Sequence, residues 1–264
     1  MDAFMNQQSP ARVLPEHSLP SQPIASESEG LPSPKISFEL PVFSLFSSGQ
    51  IGRKETERFI DQQFFKSYGA QHSEYMPWLI SMRQQGQLSA CAGVAFAVDK
   101  NPLFLERYLP SSIESLVSKN CGMPITRGQI AEVGNLAGST FGGGHIGSSR
   151  LLYIVLASVL EEIGIEWMVF TATRPLLISL QRLGLKHCML GDADESFLDD
   201  AERSRWGSYY EHQPRVVAAP LSSANESIRE RTQFAAIREH YASTIADMAR
   251  HLTPPALNGS SLAP

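Results

Sequence analysis

The chain is poor in the residues that several classes of protein need. Its 264 residues include only three cysteines, Cys91, Cys121 and Cys188, which lie far apart. An odd number of widely spaced cysteines gives neither a disulfide framework nor a pair of metal ligands. The seven histidines lack the HxxxH and HExxH spacings of zinc sites. We therefore expect no protein-bound metal.

Long apolar runs and basic clusters are also missing. No stretch approaches the ~20 apolar residues of a membrane-spanning helix, and the apolar helix predicted at residues 151–163 carries Glu161 and Glu162. The first residues lead into polar, proline-broken sequence and not into the apolar run of a secretion signal. The formal net charge is -5 without a lysine/arginine block, which argues against nucleic acid as a partner. We expect a cytoplasmic protein without stable membrane insertion.

The composition divides the chain into a core region and two tails. Residues 1–35 carry recurrent prolines among serines and glutamines, which predicts a disordered tail, with a docking peptide as the alternative. Residues 36–221 are predicted to form the main domain, and 42% hydrophobic residues in the chain suffice for its core. Residues 222–252 are predicted as a C-terminal amphipathic helix that covers the core or forms a homodimer surface. Residues 253–264 are a second tail.

Strand and helix patterns alternate between the tails. The predicted elements are a strand near residues 38–43, a helix at 53–68, a hairpin at 78–82 and 88–98, a helix from 111 or 112 to 117, a strand at 130–136, a helix at 151–163, a strand at 167–171, a helix at 175–183 and late strands at 209–210 and 215–219. This order predicts an α/β (α+β) fold with a mixed central sheet flanked by helices.

A glycine-rich turn separates the strand at 130–136 from the helix at 151–163. The sequence GGGHIG at 142–147 fits the pattern GxGxxG. Glycines let backbone amides approach an anion, and a helix N-terminus favours negative charge, so the turn suits a phosphate group. A dinucleotide site would also need an acidic residue after the next strand, where the sequence has Thr171 and Thr173. A nicotinamide site is therefore disfavoured, and a loop without a ligand is the plainer alternative.

The order of strand, glycine-rich turn, helix and strand resembles the GNAT superfamily of acyltransferases. The resemblance implies a thioester donor, acyl-CoA or the acyl-phosphopantetheine of an acyl carrier protein, as a co-substrate and not as a permanent cofactor. The loop signature of that superfamily begins with Gln or Arg, whereas this chain has Ser139, Thr140 or Phe141 there, which leaves both donors open. The implied donor-binding residues are Asn135, Leu136, Gly138, Ser139, Gly142, Gly143, Gly144, His145, Gly147, Ser148, Thr171 and Thr173.

Five motifs in a fixed order carry a closer resemblance. They are LFLERYL at 103–109, IAEVGNLA at 130–137, WMVFTAT at 167–173, RLGL at 182–185 and WGSYY at 206–210. Together they resemble the family named after thermostable hemolysin, over residues 38–221. The resemblance implies a GNAT-like fold akin to acyl-homoserine-lactone synthases and N-acyl amino acid synthases. Those proteins place an acidic residue on the fourth strand near the acyl acceptor, and Glu132 occupies the analogous position.

These resemblances lead to a hypothesis for the site. Glu132 takes a proton from the acceptor amine, and Tyr209 or Tyr210 protonates the departing thiolate. Arg127 and Trp206 position the acceptor. Phe104 completes the acceptor site.

Each assignment has a plainer alternative. Glu132 could pair with Arg127 across the sheet, Asn135 could satisfy backbone groups at a bulge, and His145 could be an exposed loop residue. The two tyrosines, if on a strand, would face opposite sides, so that only one reaches the cleft. Cys91 is interpreted as a small buried residue and not as a nucleophile.

The predicted function is transfer of an acyl group from a thioester donor to an amine of a small molecule. Two alternatives stay open. One is a binding module that keeps the fold without the chemistry. The other is a membrane-active hemolysin, as the family name suggests.

Overall fold

The computed structural model describes residues 40–71, 74–98, 102–139 and 145–252, with the backbone alone for residues 145–149. Within these residues, one mixed sheet has the strand order β1-β2-β3-β4-β5-β7-β6. Its strands are β1 (Val42–Phe46), β2 (Trp78–Gln84), β3 (Gln87–Phe96), β4 (Ile130–Gly138), β5 (Trp167–Ala172), β6 (Cys188–Asp192) and β7 (Arg215–Pro220).

Eight α-helices flank the sheet in the described part of the chain. They are α1 (Arg53–Tyr68), α2 (Ile113–Cys121), α3 (His145–Glu162), α4 (Arg174–Arg182), α5 (Asp200–Arg205), α6 (Leu221–Glu230), α7 (Thr232–His240) and α8 (Ala242–His251). Short 3-10 helices add Phe104–Tyr108, Arg127–Gln129, Glu195–Phe197 and Tyr209–His212. Several ends follow local chemistry: α1 and α2 stop at glycines in the left-handed conformation, Gly69 and Gly122.

The parallel pair β4 and β5 is the feature that positions the site. Their register is Ile130↔Trp167, Ala131↔Met168 and Glu132↔Val169. Pairing stops there, although β4 continues to Gly138 and β5 to Ala172. The two strands therefore diverge towards their carboxyl ends. A mixed sheet whose fourth and fifth strands splay apart is the expected GNAT-like arrangement, so the predicted fold class is confirmed.

The helix α3 forms the centre of the larger core cluster. Ile154, Val155 and Leu160 have no exposed surface. The helix packs against β3 and β4 and against α6, α7 and α8. Burial on nearly all sides explains why its sequence is apolar around the helix and not amphipathic.

The C-terminal region differs from its prediction. The single helix expected up to residue 252 is wrong, because three helices occupy 221–251. Arg231 adopts an extended conformation, with φ -92° and ψ 111°, and separates α6 from α7. Tyr241, with φ -95° and ψ 14°, separates α7 from α8. These two breaks let successive short helices pack around α3, which one straight helix could not do.

Three strand predictions also need correction. The first strand begins at Val42, later than expected, and β6 was not predicted. Residues 209–210 were expected in a strand, but they lie in a 3-10 helix. The preceding Gly207 has φ +53°, and a Cβ there would lie 2.1 Å from the carbonyl oxygen of Tyr68. Because Ser208 N–H also donates to that oxygen at 2.8 Å, the segment turns onto α1 and cannot extend.

Candidate active site

A bulge in β4 shapes the floor of the site. The register between β3 and β4 shifts between Cys91 and Gly93, and Asn135 adopts a positive φ of 46°. The Asn135 side-chain oxygen accepts a hydrogen bond from the Met76 backbone N–H at 2.7 Å. The interpretation of Asn135 as a residue that satisfies backbone at a bulge is confirmed. The bulge redirects the backbone of β4 at the point where β5 has left it.

Glycines on the neighbouring strands leave room for Met76 across this bulge. A Cβ on Gly93 would lie 2.6 Å from Met76 Cβ, and one on Gly134 would lie 2.4 Å from Met76 Cε. Both positions therefore require glycine, because the Met76 side chain lies too close to the two strands for a Cβ. They explain the glycine within the motif at 130–137.

A cavity of about 830 Å³ fills the gap between β4 and β5. It reaches both faces of the sheet, because its walls include Glu132 and Thr171 from one face and Met168 and Phe170 from the other. Its volume lies in the range of small-molecule sites in proteins. We call the part beside Glu132 the aromatic side and the part beside Met168 the apolar branch.

Glu132 is buried at the start of the gap. Its side chain accepts hydrogen bonds from the backbone N–H groups of Phe104 at 2.8 Å and Leu105 at 3.2 Å. Only 3% of the residue is exposed, and this burial raises the pKa of its carboxyl to about 8, against the lowering effect of the two N–H donors. A carboxyl with a pKa near neutrality can release and accept a proton under physiological conditions. The motif at 103–109 thus supplies the backbone donors that hold Glu132.

Arg127 lies apart from Glu132. Its guanidinium pairs with Glu106 at 2.8 Å and Glu114 at 2.8 Å, and its Nε donates to the Val98 carbonyl at 3.2 Å. The alternative in which Glu132 pairs with Arg127 is therefore wrong, since the carboxyl of Glu132 bonds to backbone N–H groups instead. Arg127 does not line the cavity as far as the described residues show. It holds the segment 103–113 through Glu106, which also accepts from Leu103 N–H and Ile113 N–H.

Aromatic rings form the wall opposite Glu132. The Trp206 ring centroid lies 5.2 Å from that of Tyr209, 6.0 Å from Tyr210, 6.2 Å from Phe104 and 6.3 Å from Phe64. All of these rings line the cavity. The structure therefore brings the predicted acceptor residues Trp206 and Phe104 together, and it adds Phe64 from α1.

The neighbouring tyrosines Tyr209 and Tyr210 both reach the cavity. The expectation that only one would do so is wrong, because a 3-10 helix does not alternate its side chains across a sheet. Their hydroxyls differ. The Tyr210 hydroxyl lies 2.6 Å from the Tyr108 hydroxyl and bonds to it. The Tyr209 hydroxyl has no hydrogen-bond partner among the described residues, and burial raises its pKa, so it stays protonated at neutral pH.

Leucines line the apolar branch on the opposite face of the sheet. They come from α3, from α4 and from the turn after α4. They are Leu152, Leu156, Leu176, Leu180, Leu183 and Leu185. With Met168 and Phe170 of β5, they make this branch suited to an aliphatic chain and not to a charged group.

The predicted donor-binding residues fall into two groups. Those at the end of β4 and in or just after β5 line the cavity: Asn135, Leu136, Gly138, Ser139, Thr171 and Thr173. Gly142, Gly143 and Gly144 lie outside the described residues. His145, Gly147 and Ser148 lie in the first turn of α3, and their side chains are outside the described part. Contacts between the glycine-rich turn and a donor stay a prediction.

Sequence reasoning missed several residues of the site. Tyr68 at the end of α1 lines the cavity, as does Thr173, and burial raises the pKa of the Tyr68 hydroxyl. The sequence predicts only that this residue ends a helix. Tyr108 belongs to the motif at 103–109 but was given no role. The leucines of the apolar branch carry no signal that separates them from core residues.

Cys91 behaves as expected for a structural cysteine. It is fully buried, its thiol lies 3.6 Å from the Asn135 carbonyl, and burial raises its pKa to about 12. A thiol that stays protonated at neutral pH is a poor nucleophile.

A family comparison matches this region of the chain. The family model described as thermostable hemolysin matches residues 46–225, well over half of the chain. The chain belongs to the thermostable hemolysin family. The match contains the five motifs at 103–109, 130–137, 167–173, 182–185 and 206–210. A comparison with curated proteins gave no match.

Solved structures with similar folds include LasI, TofI and FeeM. The AHL synthase LasI is 13% identical with a TM-score of 0.48, over 69% of this chain and 90% of that one. TofI in an apo form is 8% identical with a TM-score of 0.48, over 70% and 95%. FeeM, an N-acyl amino acid synthase from uncultured soil microbes, is 11% identical with a TM-score of 0.47, over 74% and 98%.

The family name raises the question of membrane insertion. None of the helices in the described ranges combines the length and the apolar character that crossing a bilayer requires.

Proposed function

We propose that this protein transfers an acyl group from a thioester donor, acyl-CoA or an acyl carrier protein, to an amine of a small molecule. The observation that carries the proposal is the single cavity that joins a buried carboxyl, Glu132, to a leucine-lined branch through the gap between β4 and β5. Acyl transfer from a thioester needs an apolar place for the acyl chain and a base for the acceptor. The reacting carbonyl would lie between them, in the gap.

The gap suits the pantetheine arm of the donor. In the described part of the sheet, β4 has no paired strand on its β5 side after Glu132. The peptide groups of β4 can form hydrogen bonds there with the amides of the arm, which would take the place of a neighbouring strand. A backbone N–H near the bulge at Asn135 can also polarise the thioester carbonyl. The acyl chain then extends into the apolar branch.

The aromatic side suits the acceptor. Trp206, Phe104 and Tyr209 offer flat faces, and Glu132 in its ionised form offers negative charge to an ammonium group. An acceptor amine is protonated in water and must lose a proton before it attacks. Glu132 is the buried carboxyl on this side that can accept that proton, directly or through water.

The reaction then follows in balanced steps. The ammonium group first gives one proton to Glu132, which passes it to solvent. The neutral amine nitrogen then attacks the thioester carbonyl carbon, forming the C–N bond, and gives its second proton to the Glu132 carboxylate. The C–S bond breaks, and the departing sulfur takes a proton from the Tyr209 hydroxyl. Tyr209 regains its proton from Glu132 or solvent. We assign this step to Tyr209 and not to Tyr210 because the Tyr210 hydroxyl is already paired with Tyr108.

The proposal is tested by release of free thiol from acyl-CoA and acyl-pantetheine in the presence of a panel of small amines. We expect amine-dependent release that falls roughly 10²- to 10⁴-fold in Glu132→Gln. Glu114→Gln, a carboxyl that pairs with Arg127 outside the cavity, is the control and should keep the activity. Wild-type rates in Glu132→Gln would refute the base assignment. Failure of every donor to bind or react would refute the acyltransfer proposal.

A further inference from the structure

One arginine of α3 has no anionic partner among the residues that the structure describes. The guanidinium of Arg150, on the second turn of α3, makes no hydrogen bond or ion pair with any described residue, and its Nε is shielded from solvent. A shielded charged donor without an acceptor is costly for a protein and rarely retained without a reason.

A second arginine shares the same aromatic ring. The Arg150 guanidinium carbon lies 5.6 Å from the centroid of the Phe234 ring, and that of Arg231 lies 5.1 Å from it. Arg231 also donates to the Arg182 carbonyl at 3.0 Å, but it pairs with no acidic side chain in the described ranges. Two positive charges thus lie near one ring, and the described residues place no carboxylate beside either of them.

An acidic residue of the same helix already pairs with two other arginines. Glu161, three turns further along α3, bonds to Arg229 at 3.0 Å and to Arg238 at 2.9 Å. The contrast shows that arginines of α6 and α7 pair with α3 where a carboxylate is available. Arg150 and Arg231 lie where the described chain offers none.

Tyr153 links this pair to the cavity. It lies one turn after Arg150 on α3, so the two side chains share one side of the helix. Its ring lines the cavity, and its buried hydroxyl has no partner in the described part of the chain. Arg150 therefore lies next to a residue of the cavity wall.

We propose that Arg150 and Arg231 bind the 3′-phosphate of a coenzyme A donor. This inference rests on the proposed function, and it narrows the donor: the 3′-phosphate is present in coenzyme A and absent from the phosphopantetheine arm of a carrier protein. Arginine suits the role because its guanidinium bonds to phosphate oxygens in pairs. With the acyl chain in the apolar branch and the arm in the gap, the nucleotide end lies outside the sheet, beside the amino-terminal half of α3.

Contact with the Phe234 ring does not by itself explain why two arginines, Arg150 and Arg231, lie beside it. One cation on a ring face is a common stabilising contact. A second guanidinium at the same ring adds like-charge repulsion, which a bound dianion would reverse. Phe234 then acts as a positioning residue that holds both arginines.

The test compares the affinities of coenzyme A and dephospho-coenzyme A, measured by calorimetry. For the wild-type protein we expect coenzyme A to bind about ten- to a hundredfold more tightly. Arg150→Gln and Arg231→Gln should reduce this ratio towards one and leave the affinity for dephospho-coenzyme A unchanged. Arg229→Gln removes a nearby charge that is already paired with Glu161 and should keep the ratio. Thermal melts of each variant confirm folding.

The outcomes separate this inference from the proposed function. If both ligands bind the wild type equally, the phosphate subsite is wrong and the donor site stands. If the ratio survives in both variants, other residues recognise the phosphate and the inference is wrong. If neither ligand binds, the inference and a coenzyme A donor both fail. If inorganic phosphate alone raises the melting temperature as much as coenzyme A does, through Arg150, the pair binds a free anion and the inference is wrong.

Discussion

The aromatic side and the apolar branch of the cavity differ in how they are built. The aromatic side is assembled from α1, the segment 103–108 and the turn at 206–210, and backbone hydrogen bonds fix its parts. The apolar branch is made by α3, α4 and β5, and it is held by the packing of apolar side chains, most of them leucines. Chemistry that needs a defined proton position fits the first region. Chain binding, which needs only area and shape, fits the second.

The largest expected difference between the two regions is in their dependence on pH, because Glu132 belongs to the aromatic side. Since burial raises its pKa to about 8, a rate that needs its ionised form should rise roughly tenfold per pH unit below 8 and level off above. The binding of an acyl chain should not follow this profile. The reaction rate and the affinity for the acyl donor are both measured from about pH 6 to pH 9. A rate that does not change over this range would contradict the role of Glu132.

The same pKa has a consequence for stability. The native state holds the Glu132 proton more tightly than the unfolded chain, where the pKa has its ordinary value of 4.5. The free energy of unfolding should therefore be highest below that value and fall as the pH rises through about 8. Glu132→Gln should remove this decline. Urea unfolding at several pH values measures the free energy of unfolding of both proteins. If that free energy changed with pH in the same way in the wild type and in Glu132→Gln, the raised pKa of Glu132 would be contradicted.

The adjacent tyrosines Tyr209 and Tyr210 of the aromatic side are expected to differ in their effect on the reaction. Tyr209→Phe should lower kcat about 10²-fold, because it removes the proton donor for the thiolate. Tyr210→Phe is the matched control and should change kcat little, since its hydroxyl bonds to Tyr108. Steady-state rates with one acyl donor decide it. Equal losses in both variants would show that the hydroxyl pair acts as a unit and that the assignment to Tyr209 is wrong.

A tryptophan in the apolar branch should change chain selectivity without changing the chemistry. Leu180→Trp fills the branch, so donors with long acyl chains should lose about tenfold or more in affinity relative to acetyl donors. Ile178→Trp, on the same helix but outside the cavity lining and 39% exposed, is the control. Affinities for donors of two and ten carbons measure the shift, and unchanged selectivity would place the chain elsewhere.

The smallest effect is expected at the turn that carries the aromatic side. Gly207→Ala forces a Cβ to within 2.1 Å of the Tyr68 carbonyl at a positive φ, which should cost about 1–3 kcal/mol. Gly128→Ala has open space around it and should be nearly neutral. Thermal melts compare the two. If Gly207→Ala melts like the wild type, the docking of this turn on α1 is not as tight as the geometry indicates.

Much of the fold could be predicted from local sequence. The helix at 53–68 and the hairpin around Gly86 follow from helical spacing, alternation and turn chemistry, and they lie where they were expected. The three C-terminal helices could not be separated, because Arg231 and Tyr241 carry no breaker signal and the breaks come from packing around α3. β6 was missed because it is a half-exposed edge strand with Gly191 inside it.

The site was predictable only where a residue type is unusual for its position. The family resemblance pointed to Glu132, as the acidic residue on the fourth strand, and the motif at 206–210 pointed to Trp206. Long-range partners gave no local signal. The backbone donors of Phe104 and Leu105 reach Glu132 across 27 or 28 positions, and the pairing of Arg127 with Glu106 follows from the tertiary fold.

The most direct test of the account is calorimetric binding of acyl-pantetheine, the part that both donors share, with chains of two to twelve carbons. If the gap and the apolar branch hold the donor, affinity should increase about three- to fourfold per methylene until the branch is full, and Leu180→Trp should end the increase at a shorter chain. No binding at any length, or an affinity independent of chain length, would contradict the assignment of this cavity to a thioester donor.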